Sequence, residues 1–483
     1  MKRTTLLWII FAAATLFFIL QHARFLGWDF SAYVLNAKYL FSGGFYFEWA
    51  RAPLVPLLIG FFSKIAFGSY LIAEFIYIVG VSFLFFISAK LFAKKFNINL
   101  LIFYTVLLSP FVLMMGLVEG TELLSISLLM LVLCFIKTKK KYSSVLVGIF
   151  LGLAFLVRFN ASLFIFLILL QWNWKRILTS FGCWFIAVAP WYFFTYLFAG
   201  SAFMNAANSF AMNNYFREYI SHPFSLGQLF QAASYYYIPL FLIGIVVFIF
   251  LLNKKTKKKA EKNYKKDLLY SGIIMLFFLA LSLYAYWKSP VKLPRYLFLV
   301  CLPLAYFSAI ALQSINKKKL LTIIVIIILL FNFAFVFLSL GKFGNNRQTF
   351  SSVAETLDKD CMHVSNMWVY MNYYGVVTVY PESTRTEFIT EVRKGKRAII
   401  FANPVEPDYL KKPELFKELP IIENNSRFVV LGNESLCMEP YKVDKPYLDR
   451  LREKGVTRLT NCQVVMPLFA EFLCKGVTKE KWG

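Results

Sequence analysis

In the first 340 residues, few side chains could act as a catalytic acid or base, because only eight of them are acidic. Six of them lie near the ends of apolar runs or in the loops between runs: Asp29, Glu48, Glu74, Glu119, Glu122 and Glu218. Four basic side chains lie in comparable places: Arg51, Arg158, Lys292 and Arg295. A carboxylate can take a proton from an attacking hydroxyl, and an arginine or lysine can hold an anion. These groups can act together only if the fold brings them to one place.

The composition indicates a polytopic membrane protein. Hydrophobic residues make up 59% of the 483 and charged residues only 16%, against about 25% charged residues in soluble globular chains. Eleven apolar runs approach the length of about 20 residues that a helix needs to cross a bilayer. They are 4–21, 70–93, 97–116, 121–136, 143–158, 160–174, 177–198, 228–252, 268–287, 295–313 and 320–340.

Lysine clusters predict the topology. They lie in alternate connections, around 90–95, 137–141, 175–176, 254–266 and 317–319. The positive-inside rule places all of them in the cytoplasm together with the N-terminus. We therefore expect a multi-pass protein of the cell membrane with its C-terminal part outside. The net charge of +26 reflects topology, and we expect no nucleic-acid partner.

The first outer loop, 22–69, contains two further helical patterns, 30–42 and 53–67. The second is only 15 residues long and contains Pro53, Pro56 and Lys64, so we expect both to lie along the membrane surface. The carboxylates and cations named above then fall at the outer rim. Transporters usually place charged groups near the midplane. A transporter or lipid-carrier flippase is therefore the alternative that this pattern disfavours.

Several segments, in order, resemble the integral-membrane glycosyltransferases of the C-type fold, in the branch of protein O-mannosyltransferases and aminoarabinose transferases. They are GWDFSAYVLNAKYLFSGG (27–44), EWARAPLVPLLIGF (48–61), LLSP (107–110), EGTE (119–122), GIFLGLAFLVRFN (148–160), APWYFFTYLFAGSAF (189–203) and LPRYLFLVCLP (293–303). In the mannosyltransferases the catalytic Asp is followed by Glu, whereas here Phe30 follows Asp29. The sugar and the acceptor (protein, lipid or glycan) therefore stay open.

This resemblance implies inverting transfer of a sugar from a polyprenyl phosphate to an acceptor hydroxyl on the outer face. It implies Asp29 as the catalytic base, although an Asp just before a helix is also an ordinary N-cap. Arg51 and Arg295, and less strongly Lys292 and Arg158, would bind the donor phosphate. The alternative for these cations is an interaction with lipid headgroups.

Three further carboxylates are candidates for acceptor or sugar binding. Glu48 could instead be a solvated loop residue. Glu119 and Glu122, spaced i,i+3, would share one face if helical, and could instead only place negative charge at a helix N-terminus. With Asp29 they could hold a divalent cation, as in the oligosaccharyltransferase relatives, but two or three oxygens are a weak metal signal. We expect an enzyme that needs neither metal nor cofactor.

Residues 345–483 differ from the membrane block, residues 1–344. Short β-branched runs at 362–366, 376–380, 397–402 and 427–432, with a helix at 384–394, predict a small α/β domain. Its cysteines, Cys361, Cys437, Cys462 and Cys474, allow two disulfides with three pairings, or reduced packing cysteines.

Overall fold

The computed structural model describes residues 3–440, apart from 139, 141, most of 200–236, 255–258, 290, 316, 383, 403–407 and 425–426. The predicted Cys462 and Cys474 lie outside the described residues. Each predicted apolar run contains helix. The helices of the membrane block are α1 Arg3–Arg24, α2 Trp28–Ser42, α3 Leu54–Ile65, α4 Tyr70–Lys95, α5 Leu100–Leu107, α6 Pro110–Met115, α7 Glu122–Ile136, α8 Ser143–Val157, α9 Trp174–Ala199, α10 Tyr237–Asn253, α11 Lys259–Lys288, α12 Cys301–Gln313 and α13 Lys318–Ser339.

Six helical segments of the described chain are long and apolar enough to cross a membrane. Five shorter apolar helices accompany them, including α7, α8 and α10. The chain is thus a helical membrane protein, as the composition predicts.

Three predicted runs depart from one continuous α-helix in ways that their hydropathy does not reveal. Ser109 caps the backbone N–H of Val112 and Pro110 begins α6, so run 97–116 forms two helices. Run 160–174 forms a 3₁₀ helix, Phe159–Gln171, and another, Pro294–Val300, leads into α12. The second one carries Arg295 at its start.

The two helices of the first outer loop have different surroundings. α3 buries Val55 and Ile59 but exposes Phe61 and Ile65, an apolar face suited to lipid. In α2, by contrast, every residue from Phe30 to Ala37 is buried. This helix is therefore covered by other parts of the protein, and its predicted course along the membrane surface stays a prediction.

The C-terminal part forms a small α/β domain, as predicted. In the described part of this domain, five strands form a sheet of order β2-β1-β3-β5-β4, with β2, β1 and β3 parallel and the pairs β3–β5 and β4–β5 antiparallel. Helices connect the parallel strands, as such crossovers require. The elements are α14 Asn346–Thr356, β1 His363–Ser365, α15 Trp368–Tyr373, β2 Thr378–Val379, α16 Arg385–Arg393, β3 Arg397–Phe401, α17 Leu415–Glu418, β4 Ile421–Asn424 and β5 Phe428–Leu431.

The domain packs on the membrane block through α15, which lies against α2. Trp28 of α2 contacts the rings of Trp368 and Tyr370 edge-on, with centroids 4.6 and 5.2 Å apart. One apolar cluster joins Ala32 and Leu35 of α2 to Trp368 and the sheet. The sequence-predicted boundary near residue 345 is therefore crossed by a continuous core.

Candidate functional site

The N-terminus of α2 provides the centre of the site. Gly27 is the N-cap of this helix, so Asp29 lies in the first turn and its carboxylate is not the cap. The carboxylate of Glu119 takes that role, because its Oε2 accepts the backbone N–H of Asp29 at 2.7 Å. A Cβ at Gly27 would lie 2.0 Å from the carbonyl oxygen of Val118. Glycine is thus what allows α2 to approach the turn that carries Glu119.

Two arginines from distant parts of the chain bind the Asp29 carboxylate. Arg51 Nη1 donates to Oδ1 at 2.6 Å, and Arg295 Nη1 is 2.7 Å from Oδ2. Burial raises the pKa of Asp29, but the charges of Arg295 and Arg51 outweigh it and hold the pKa well below its usual range. Without a ligand, Asp29 is a stable anion that joins two cations.

Arg51 also contacts a second carboxylate. Its Nε donates to Glu48 Oε2 at 2.6 Å, and Tyr46 donates its hydroxyl hydrogen to Glu48 Oε1. Asn36 of α2 fixes the backbone of Glu48 by two hydrogen bonds, of 2.7 and 2.9 Å. Because Glu48 is fully buried, this geometry favours positioning of Arg51 over the acceptor contact that the sequence suggests.

Glu119 and Glu122 do not share a helix face. Gly120, with φ +83°, turns the chain between them, and α7 begins only at Glu122. Glu119 Oε1 is 3.6 Å from Arg295, whereas Glu122 pairs with Arg158. Burial, then the negative charge of Asp29, raises the pKa of Glu119 to about 7.

The Tyr296 ring lies close to two arginines at this end of the site. The guanidinium carbons of Arg158 and Arg295 lie 5.6 and 5.5 Å from its ring centroid. A cavity of about 30 Å³ adjoins both arginines. Arg295 Nε and Ser125 Oγ, two buried atoms of residues that line it, have no hydrogen-bond partner among the described residues. Arg295 therefore retains a donor that no described residue uses.

Lys292 is not part of this cluster in its described contacts. Its Nζ donates to the carbonyl oxygens of Tyr286, Trp287 and Ser289 at the C-terminal end of α11. A cation there stabilises the helix end.

Sequence reasoning named Asp29, Arg51, Arg295, Arg158, Glu48, Glu119 and Glu122, and the structure brings these seven together. It missed Tyr46, Trp368 and Tyr296. The aromatic residues around Glu48, in FYFEWA (45–50), are a signal in retrospect. For Trp368, which lies far along the chain in another domain, the sequence offers no such signal.

No protein-family model and no curated protein sequence matches the chain. Solved structures do match it. ArnT from Cupriavidus metallidurans bound to undecaprenyl phosphate matches with a TM-score of 0.60 and 13% identity, over 89% of this chain and 98% of ArnT. The apo state of that protein matches over the same shares with a TM-score of 0.60 and 12% identity.

A weaker structural match is arabinofuranosyltransferase AftD from Mycobacteria, with a TM-score of 0.49 and 11% identity over 92% of this chain and 40% of AftD. The likeness to ArnT confirms the predicted fold, the C-type fold of integral-membrane glycosyltransferases with a small C-terminal sheet domain.

Proposed function

We propose that this chain is a membrane glycosyltransferase that moves a sugar from a polyprenyl phosphate to an acceptor hydroxyl. The observation that carries the proposal is the Asp29–Arg51–Arg295 cluster, in a chain with the fold of ArnT, which has been solved with undecaprenyl phosphate bound. Two arginines beside one carboxylate provide both functions that such a transfer requires: a site for the phosphate and an acceptor for the proton.

Arg51 and Arg295 bind the donor phosphate in this proposal. Both side chains are mostly shielded from solvent and contact the two carboxylate oxygens of Asp29, and Arg295 Nε–H has no hydrogen-bond acceptor among the described residues. Guanidinium groups hold phosphate oxygens in a bidentate manner and stabilise the charge that develops as the phosphate leaves. Arg158 is next to this pair, but Glu122 neutralises its charge.

Asp29 is the proposed base, and the arginines explain how its activity depends on the donor. In the ligand-free site they lower its pKa, so it is a poor proton acceptor. A phosphate that takes over hydrogen bonds from Arg51 and Arg295 partly neutralises them, and the pKa of Asp29 then rises towards its ordinary value. Basicity thus develops when the donor is bound.

The reaction is then a single displacement with inversion. The acceptor oxygen forms a bond to the anomeric carbon as the bond from that carbon to the phosphate oxygen breaks. Asp29 takes the hydroxyl proton, and polyprenyl phosphate leaves without needing an acid. Glu122, which lines the cavity, and Glu119, which lies beside Arg295, are the proposed sugar contacts.

No metal is needed in this proposal, because arginines already pair with three of the four carboxylates of the cluster and Arg295 lies 3.6 Å from the fourth, Glu119. Asp29 pairs with Arg51 and Arg295, Glu48 with Arg51, and Glu122 with Arg158. These contacts leave few carboxylate oxygens for an ion that prefers six or more.

We further propose that the site faces the outside of the cell. The lysine clusters lie at the opposite ends of the helices, for example Lys94 and Lys95 at the end of α4. A disulfide between Cys361 and Cys437 in the C-terminal domain fits an oxidising compartment.

The test uses purified full-length protein in lipid nanodiscs that contain a panel of radiolabelled polyprenyl-phosphate sugars. Membrane extract, separated into protein and lipid fractions, supplies acceptors. We expect transfer from one donor, undiminished by EDTA. We also expect a loss of about 10²-fold or more in Asp29→Asn, as for removal of a general base. The matched control is Asp408→Asn, whose side chain is 89% exposed on the C-terminal domain.

Equal transfer by Asp29→Asn and wild type would refute the base assignment. Movement of lipid-linked sugar across the bilayer without transfer would favour the flippase instead.

A further inference from the structure

The short helix α15 joins the C-terminal domain to the candidate site. It begins at Trp368, which is almost fully buried beneath Trp28 and Tyr380. It ends at Tyr373, whose hydroxyl donates to Glu74 of α4 and whose carbonyl accepts from Lys38 of α2. Both ends of α15 are therefore fixed to the membrane block by polar contacts as well as by packing.

A chain of hydrogen bonds runs from the start of this helix into the site. Trp368 Nε1 donates to the Tyr46 hydroxyl oxygen at 3.1 Å, and Tyr46 donates to Glu48 Oε1. Glu48 Oε2 accepts from Arg51 Nε at 2.6 Å, and Arg51 Nη1 reaches Asp29 Oδ1 at 2.6 Å. Four bonds thus link a residue of the C-terminal domain to the proposed base.

The chemistry of these groups fixes the direction of each bond. An indole N–H can only donate. Burial, then the charge of Glu48, raises the pKa of Tyr46, so this hydroxyl keeps its proton and donates it to the carboxylate. Arg51 is a donor at every nitrogen. None of these groups can exchange the donor role for the acceptor role, so this chain of hydrogen bonds has one arrangement.

Glu48 makes this arrangement sensitive to the C-terminal domain. It is fully buried, and its two carboxylate oxygens accept from Tyr46 and Arg51 respectively. A buried carboxylate that loses one donor rotates or shifts to regain it, because an unsatisfied buried charge is costly. Any such movement of Glu48 changes the direction of the Arg51 guanidinium.

We infer that the C-terminal domain positions the phosphate-binding Arg51 through Trp368, Tyr46 and Glu48, so that Trp368 and Tyr46 are positioning residues. The inference rests on the proposed function, in which Arg51 binds the donor phosphate. By linkage, donor binding then strengthens the docking of the C-terminal domain to the same degree as docking strengthens donor binding.

The test compares four variants of the full chain in nanodiscs: Tyr46→Phe, Trp368→Phe, the double variant, and Tyr374→Phe as a matched control. The Tyr374 hydroxyl donates to the Arg347 backbone carbonyl within the C-terminal domain, at the end of α15 but outside the chain of bonds. Each change keeps an aromatic ring and removes only polar atoms or part of the ring, which limits loss of fold. Two readouts are taken: the Kd for polyprenyl phosphate, and the rate of Arg51 modification by phenylglyoxal from peptide mass spectrometry.

We expect Tyr46→Phe to raise the Kd about ten-fold, the loss expected for one hydrogen bond to a charged group, and Trp368→Phe to raise it about three-fold. The double variant should match Tyr46→Phe within about two-fold, because both changes act through one chain and are not additive. Arg51 modification should rise in these three variants relative to Arg295, whereas Tyr374→Phe should match wild type in both readouts.

Additive losses, or equal effects of Tyr374→Phe, would indicate general destabilisation and overturn the inference. If wild type binds no polyprenyl phosphate, the proposed function fails. The modification rates still decide the positioning role, and unchanged Arg51 reactivity in Tyr46→Phe would refute it.

Discussion

Gly27→Ala is the sharpest test of the geometry at the start of α2. Gly27 has φ −71° and ψ 151°, a conformation that alanine adopts freely, so the added methyl acts only by its volume. This Cβ would lie 2.0 Å from Val118 O and 2.9 Å from Glu119 Oε2. Carbon and oxygen normally stay at least about 3.3 Å apart, so the helix and the turn must separate by about 1.3 Å.

That separation occurs at the contact that brings Glu119 to the backbone of Asp29. A misplacement of about 1 Å at a reacting group can reduce the rate about 10²-fold, while overpacking costs about 1–3 kcal/mol of stability. We therefore expect a folded, monodisperse protein whose sugar transfer falls about 10²-fold and whose thermal midpoint falls by a few degrees.

The assay is sugar transfer in nanodiscs with a thermal melt of the same sample. Gly80→Ala is the matched control, because its added Cβ meets nothing within 4 Å on α4 and alanine favours helix. A Gly27→Ala protein that keeps more than half of the wild-type transfer rate would show that the contact between α2 and the Val118–Glu119 turn does not set the site.

Three further results are expected. Donor binding adds negative charge beside Glu119, whose pKa is raised to about 7; polyprenyl-phosphate affinity should therefore fall as pH rises through 7, by up to about ten-fold per pH unit. Glu119→Gln should remove that part of the dependence, and identical pH profiles would contradict the linkage. Replacing Cys361 and Cys437 by alanine should destabilise the C-terminal domain by about 4 kcal/mol, since the disulfide closes a separation of 76 residues; an unchanged melt would exclude this. Arg347→Ala should leave the charge of Glu74 poorly compensated and speed proteolysis between the membrane block and α15, because Arg347 contacts both Glu74 and Tyr373. Cleavage at the wild-type rate would show that these contacts do not hold the C-terminal domain to the membrane block.

Hydropathy located the helices well because backbone polar groups in lipid must be satisfied within each segment. It could not show the break at Ser109 or the 3₁₀ conformation of 159–171, since both depend on local capping and packing. Four of the five strands were also predicted, from their β-branched runs. β4, Ile421–Asn424, was missed because it lies at the sheet edge and carries Glu423 and Asn424.

The site residues were identifiable because a charged side chain in an apolar segment is energetically costly and usually has a functional role. Their partners were not. The i,i+3 spacing of Glu119 and Glu122 suggested one face, but the turn at Gly120 separates them, and Glu48 turned out to contact Arg51 and Tyr46 rather than solvent. Pairing within the tail was equally open, and the structure joins Cys361 to Cys437.

By itself, then, the sequence determined a basic helical membrane block, a small α/β domain after it, and a short set of carboxylates and arginines. Solvent transfer energies and helix propensity are local properties, and they can be read along the chain. Only the tertiary structure decided that Asp29 meets both Arg51 and Arg295, that α2 is buried beneath the C-terminal domain, and that Trp368 connects to Arg51. Those contacts arise from the packing of segments that are distant in sequence, and no local pattern encodes which of them will meet.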